Sequence, residues 1–289
     1  MGIVLGPNNY GKAETRLVRI YRDTARHEIR DLSVTTSLRG DFAAAHVAGD
    51  QSNTLPTDSQ KNTVFAYAKQ VGVRQIEDYA LALATHFVDD IGPVHGARVD
   101  VKEYAWQRIV VDGGDHDHSF VRAGQEVRTT AVTVNGAGPE QTAAVESGLD
   151  DLVVLKSTGS EFAGFLQDHF TTLAETHDRV MATSLAVRWA YAGTGVDWGA
   201  SYDAIRQTLL ETYATVHSLA LQQTLYEMGK AVLERQPAVA EITLTAPNIH
   251  HFAVDLEPFG LENPGEVFYV ADRPYGLIEA TVRREADPT

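Results

Sequence analysis

Two periodicities alternate along this chain, and they do so twice. Residues 32–38 (LSVTTSL) alternate strictly, with Leu32, Val34 and Leu38 on one face and Ser33, Thr35 and Ser37 on the other, the pattern of a half-buried strand. A similar run at 15–21 (TRLVRIY) precedes it, and the polar RDTARHE between them suits a hairpin connection. Over 75–90 the period becomes helical: Ile76, Tyr79, Ala80, Leu83 and Phe87 form one stripe, with Glu77, Asp78 and Asp89 off it. Residues 97–111 return to alternation, but the apolar phase slips from Val99 and Val101 to Tyr104 and Trp106, as a β-bulge requires. The Gly-Gly-Asp at 113–115 then turns the chain into a β run ending near Val134.

The second half repeats this order, with strands near 149–157 and 180–191, helical periodicity over 203–234, and strands near 240–254 and 267–283. The pattern predicts ββααββ twice: an α+β fold of two joined domains, 1–138 and 139–289, each an antiparallel sheet with helices on one face. Sheet edges of this length must be paired, covered or charged, and edge-to-edge joining of subunits is one solution.

The formal charge of −15, with no cluster of Lys or Arg to offset it, argues against nucleic acid or an anionic membrane as partner. It does not forbid a small anion, because one buried Arg outweighs a distant screened field. The absence of cysteine removes disulfides, thiolate nucleophiles, Fe–S clusters and Cys-based zinc sites. The N-terminus has no basic segment followed by an apolar run, and no stretch approaches the roughly 20 apolar residues of a membrane helix, so a soluble cytoplasmic protein is expected.

Histidines are the first candidates for chemistry. His116 and His118 in GGDHDHSF would point to the same side of a strand and chelate a divalent ion there, or pack and solvate a hairpin tip, which the Gly-Gly-Asp context favours. His250 and His251 would face opposite sides of a strand, so at most one would enter a given site. No dinucleotide or phosphate loop, nucleophile elbow or helical His-Glu-x-x-His occurs.

Six collinear blocks then carry a resemblance: YGKAETRL (10–17), PTDSQKNTVF (56–65), LATHFVDD (83–90), VLKSTGSEFAGFLQDHFTTLAETHDR (154–179), LQQTLYEM (221–228) and APNIHHF (246–252). Together they resemble the signature blocks of urate oxidases. The resemblance implies tandem tunnelling-fold (T-fold) domains, four subunits around a central tunnel, and sites at subunit interfaces working without metal, flavin or haem. It implies that urate reacts with O2 to give 5-hydroxyisourate and hydrogen peroxide.

The roles it implies are specific. Phe162 stacks on the purine, Arg179 grips one edge through its fork, Gln222 pairs the opposite edge, and the backbone around Leu221 assists. Thr57 and Asp58 add substrate contacts, Lys12, Thr57 and His250 form a proton relay, and Asn248 holds the oxygen species above the ring. Lys12 and Thr57 are expected from one subunit and Phe162, Arg179, Leu221, Gln222, Asn248 and His250 from its neighbour. The chain ends Ala-Asp-Pro-Thr rather than in a peroxisomal Ser-Lys-Leu address, which agrees with the expected cytoplasmic location. Three rival readings stand beside this one: a T-fold enzyme acting on pterins or guanine nucleotides, a purine-binding carrier, and metal-dependent oxidation at His116 and His118. The first usually anchors its heterocycle through Glu where this chain has Gln222, and a carrier would not need the relay.

Overall fold

A computed structural model describes residues 2–285; the C-terminal Ala-Asp-Pro-Thr, on which the expected location partly rests, lies outside the described residues. The first half runs β1 (Tyr10–Tyr21), β2 (Glu28–Gly40), α1 (Ala43–Ala48), α2 (Thr57–Gln70), α3 (Ile76–Asp90), β3 (Val94–Val111) and β4 (Gly114–Asn135). The second runs β5 (Thr142–Lys156), β6 (Met181–Tyr191), α4 (Trp198–Thr215), α5 (Leu221–Arg235), β7 (Val239–Ala253), β8 (Phe268–Ala271) and β9 (Leu277–Arg283). The ββααββ order is present twice, with the short α1 added to the first copy and the last strand region divided between β8 and β9. The chain separates into two compact units, Met1–Gly148 with Ala190–Gly199, and Leu149–Trp189 with Ala200–Thr289.

In the first unit the strands run β1-β2-β3-β4, antiparallel throughout, and α2 and α3 cover one face. The alternation in β2 decides which face: Leu32, Val34 and Leu38 are fully buried, as are Val99 and Val132 on the neighbouring strands. The helical stripe Ile76, Tyr79, Ala80, Leu83 and Phe87, on the helix that packs on β3 and β4, is buried as well, each residue at most 1 % exposed. Each large side chain of that stripe contributes about 1.5–3 kcal/mol by leaving water.

Glu77 departs from its expected place on the polar face. It is fully buried, and its carboxylate accepts hydrogen bonds from Arg128 Nη2 at 2.8 Å and Ser147 Oγ at 2.7 Å. A buried carboxylate is tolerable only with such partners.

The phase slip in β3 is a register shift between Tyr104 and Trp106: Tyr104 pairs with Val127, but Trp106 pairs with Arg122. The hairpin turn lies one residue earlier than the Gly-Gly-Asp reading places it. Asp112 (φ 51°) and Gly113 (φ 80°) are both left-handed, and Val111 pairs with Gly114. Asp-Gly is the dipeptide a two-residue hairpin with left-handed centres selects. His116 and His118 therefore sit on β4 and not in the tip, with rings 4.6 Å apart and mutually perpendicular. Among the described residues no group of three or more His, Asp or Glu side chains is arranged to hold a metal ion.

In the second unit the order is β5-β6-β7-β8, with β9 also on β7; α5 packs on β7 and β9. Strand β7 thus has β9 along Glu241–Pro247 and β8 along His250–Ala253, and Asn248 falls where one partner gives way to the other. No helix among the described residues is long and apolar enough to cross a membrane.

Candidate active site

One cavity of about 550 Å³ in the second unit brings together six of the residues singled out in the sequence: Phe162, Arg179, Leu221, Gln222, Asn248 and His250. They come from three places. Phe162 and Arg179 lie on the irregular segment between β5 and β6, Leu221 and Gln222 open α5, and Asn248 and His250 lie on β7.

The irregular segment is folded by its own polar groups. Phe162 and Thr176 exchange backbone hydrogen bonds at 2.8 and 3.0 Å, and the Arg179 amide donates to Ser160 O at 2.9 Å. The Asp178 carboxylate accepts from Thr158 Oγ1 at 2.9 Å and from the Gly159 amide at 3.1 Å. These bonds place the Arg179 guanidinium 5.4 Å from the Phe162 ring centroid, within cation–π range, while Phe165 stacks parallel to Phe162 at 4.9 Å.

Electrostatically the cavity suits an anion. Burial depresses the Arg179 guanidinium below the ordinary arginine value, partly opposed by Tyr213, and its Nε is buried without a hydrogen-bond partner. An unpartnered buried donor on a cation is costly, and a bound carbonyl or anionic nitrogen removes that cost. Tyr213, its phenol pushed up to about 12 by burial, keeps its proton and donates to Met181 O at 2.6 Å, pinning the strand that follows Arg179. Lys156 donates to Val216 O at 2.6 Å at the end of α4, and burial lowers its ammonium from the ordinary lysine value.

The start of α5 adds donors. Its N-cap is Ala220, which offers no side-chain acceptor. Gln223 folds back to accept from the Leu219 amide at 2.9 Å, leaving the amides of Leu221 and Gln222 at the positive end of the helix dipole. The sequence carries this signal as an Ala where Ser, Thr, Asp or Asn would ordinarily cap.

On β7, the Asn248 side-chain amide lies 3.4 Å from His250 Nδ1, and its backbone N–H donates to Gly276 O at 2.8 Å. The His250 ring stacks on Phe252, which stacks on Tyr269. His250 and His251 both border the cavity. Four successive residues, His250 to Ala253, border the cavity, so it meets the strand along its length and not on one face; His251 Nδ1 itself lies 3.0 Å from Ile249 O.

Lys12, Thr57 and Asp58 belong to the first unit and are not among the residues bordering this cavity. Lys12 sits on a bulge of β1: pairing with β2 shifts register between Lys12 and Thr15, and Glu14 adopts φ 53°. Thr57 begins α2, whose N-cap is Pro56, again without a side-chain acceptor. The two are tied by a chain of hydrogen bonds: the Lys12 amide donates to Thr36 Oγ1 at 3.3 Å, and Thr36 Oγ1 donates to Gln60 Oε1 in the first turn of α2 at 2.8 Å. Lys61 beside it, and more weakly Asn62 and Lys12, hold the Asp58 carboxyl below the usual carboxylate range.

Gly11 makes this placement possible. A Cβ there would lie 1.7 Å from Thr36 O, so only glycine lets β1 approach β2 at the residue before Lys12. We expect Gly11→Ala to destabilise the fold by about 2–4 kcal/mol in denaturant titration, the range of severe backbone clashes. An unchanged midpoint would mean that β1 relaxes without cost.

A family model for uricases matches residues 8–133 and again 145–279, one match for each half of the chain. The chain belongs to the uricase family. It is 53 % identical to a uricase of Arthrobacter globiformis over 98 % of this chain and 91 % of that protein. It is also 36 % identical to a uricase of Oryctolagus cuniculus, over 96 % of this chain and 93 % of that protein. The crystal structure of the Arthrobacter uricase superposes with a TM-score of 0.94 at 52 % identity, covering 100 % of this chain and 98 % of that one. A uricase from Bacillus fastidious matches the fold at a TM-score of 0.85 and 24 % identity, over 96 % of this chain and 94 % of that one. The T-fold expectation, the α+β class and the family resemblance are borne out. His251, Asp178 and Phe252 also border the cavity, and periodicity alone singles out none of them.

Proposed function

We propose that the cavity of the second unit is the substrate half of a urate oxidase site, and that the halves 1–138 and 139–289 are its tandem T-fold domains. Urate oxidation is the activity of the uricase family, and it is the activity of this chain. The observation that carries the site assignment is the convergence of Phe162, Arg179, Gln222, Asn248 and His250 on one cavity, where the Nε of the half-buried Arg179 guanidinium has no hydrogen-bond partner.

Each side chain then has a task that its chemistry suits. The guanidinium fork of Arg179 donates to one edge of the planar anion, and Gln222 presents a donor and an acceptor to the opposite edge. Phe162 stacks on the purine face. The free amides at the start of α5 around Leu221 favour the negative charge that develops as urate ionises. Lys12, Thr57 and Asp58 come from a neighbouring copy, Thr57 and Asp58 presenting the uncapped start of α2 to the substrate.

Oxidation requires proton removal, because the more highly ionised urate gives electrons to triplet oxygen more readily. Two electrons and two protons leave urate for O2, which becomes hydrogen peroxide; water supplies the hydroxyl at C5 of 5-hydroxyisourate and returns its second proton. Thr57 Oγ passes protons between Lys12 and His250, and Asn248 holds oxygen, then water, above the ring. Lys12 serves this role only where the neighbouring copy desolvates its ammonium. The working form is a homotetramer with a site at each such interface, and its location is the cytoplasm.

Oxygen uptake with peroxide release on adding urate to dialysed, chelator-treated protein tests this reading. One peroxide per oxygen consumed is the expected result. Tight urate binding without uptake would make the protein a purine binder, and uptake restored only by added metal would move the chemistry to His116 and His118.

A further inference from the structure

Two of the three segments that form the cavity, the irregular segment between β5 and β6 and the stretch leading into α5, must hold one another in register, and one carboxylate outside the proposed substrate contacts joins them. Glu161 precedes Phe162 directly. Its Oε1 lies 2.5 Å from His217 Nε2 and its Oε2 lies 3.1 Å from His177 Nδ1. His217 belongs to the connection between α4 and α5, four residues before Leu221, and His177 lies two residues before Arg179. The backbone reinforces the same junction: the Glu161 amide donates to Ser218 O at 2.7 Å, and the Ser218 amide donates to Gly159 O at 3.0 Å. Ser218 in turn accepts at its hydroxyl from Thr224 Oγ1 at 2.7 Å, in the first turn of α5.

We infer that Glu161 is a positioning residue for urate oxidation: by accepting a hydrogen bond from His217 and another from His177, it sets the separation of Phe162, Arg179 and Gln222. This rests on the assignment of those three residues as the urate contacts. His217 first and His177 second hold the Glu161 carboxyl below the usual carboxylate range, so it is ionised at neutral pH and accepts from both rings. Neutral imidazole donates one N–H, so the clamp does not require the histidines to be charged.

The two contacts are unequal. The Glu161 side chain is 24 % exposed, His217 58 % and His177 78 %. The longer bond to the more exposed ring is the weaker, since solvent competes for it. The shorter bond joins the Phe162 segment to the segment leading into α5, and these carry stacking and edge recognition respectively. Small displacements of such groups lower productive binding.

The test is steady-state oxygen uptake with Glu161→Ala, Glu161→Gln and His217→Ala, beside anaerobic urate binding and thermal midpoints of each. Glu161→Ala should raise KM for urate and weaken anaerobic binding by about three- to tenfold, the range of a single partly exposed contact. kcat should change less than KM, and the midpoint should stay close to that of the unaltered protein. Glu161→Gln, which keeps an acceptor and a donor at the same length, should recover most of the loss. Combining Glu161→Ala with His217→Ala should cost no more than the larger single effect. Unaltered KM in both Glu161→Ala and His217→Ala overturns the proposal, as does a Gln variant as impaired as the Ala one. Should Glu161→Ala fail to fold, His217→Ala and the Gln variant decide it. An unaltered protein without urate turnover would instead defeat the functional reading, and anaerobic urate binding would then still report on the clamp.

Discussion

Arg179→Ala should lower kcat/KM for urate by about two to three orders of magnitude while leaving the fold intact. The size follows from what the guanidinium would do: breaking a buried charged contact by removing one partner costs about 3–5 kcal/mol. The intact fold follows from how little the side chain bonds within the protein. Its Nε has no internal partner, and the bond that organises the segment, from the Arg179 amide to Ser160 O, uses backbone atoms. Burial disfavours the charged side chain, so its removal relieves a cost, and the thermal midpoint should hold or rise. Arg179→Lys should remain impaired, because an ammonium cannot present two parallel donors to a planar edge. Oxygen uptake with thermal melting of all three proteins checks this. A fall in melting temperature matching the loss of activity would mean that Arg179 holds the fold and not the substrate.

Much of the fold is legible in the sequence because burial has a period. Leu32, Val34 and Leu38 announce one face of β2, and the stripe from Ile76 to Phe87 announces the helix that covers it. The phase slip at Tyr104 and Trp106 is visible because a bulge exchanges the two faces of a strand. What escapes is set by pairwise satisfaction. Glu77 lies off the apolar stripe yet is buried, since Arg128 and Ser147, 51 and 70 residues away, supply its partners. The turn at Asp112 and Gly113 was displaced by one residue because the Gly-Gly pair masks the Asp-Gly that adopts two left-handed conformations.

The candidate site was legible differently. Periodicity points to no residue between β5 and β6, where the chain is irregular; the collinear blocks, compared as text, point to Phe162 and Arg179. The starts of α2 and α5, at Pro56 and Ala220, lack a side-chain cap, but so do those of α1 and α3, at Phe42 and Gln75, so a reading of caps does not by itself mark the site. The proposed site joins the start of α2, the first helix of its pair, from one copy to the start of α5, the second helix of its pair, from another.

That arrangement has a measurable consequence. Lys12→Ala and Arg179→Ala should each be nearly inactive alone, with Lys12→Ala lowering kcat by about 10²–10⁴, the range for a positioned proton-transfer group. If Lys12 and Arg179 of one working site come from different copies, a site combining an Arg179→Ala copy on the relay side with a Lys12→Ala copy on the substrate side is intact. Equal amounts of the two variants, dissociated and reassembled together, should regain about a quarter of the unaltered activity, as random pairing in a symmetric assembly requires. The same variants assembled separately and then mixed should regain nothing until they exchange. Lys12→Ala is suited to this test because its main-chain bond to Thr36 Oγ1 survives the substitution, so the bulge of β1 and its tie to α2 persist. Recovery near zero after demonstrated hybrid formation would place both residues in one copy's site, and the cavity of the second unit would then have to draw its relay from within the same chain.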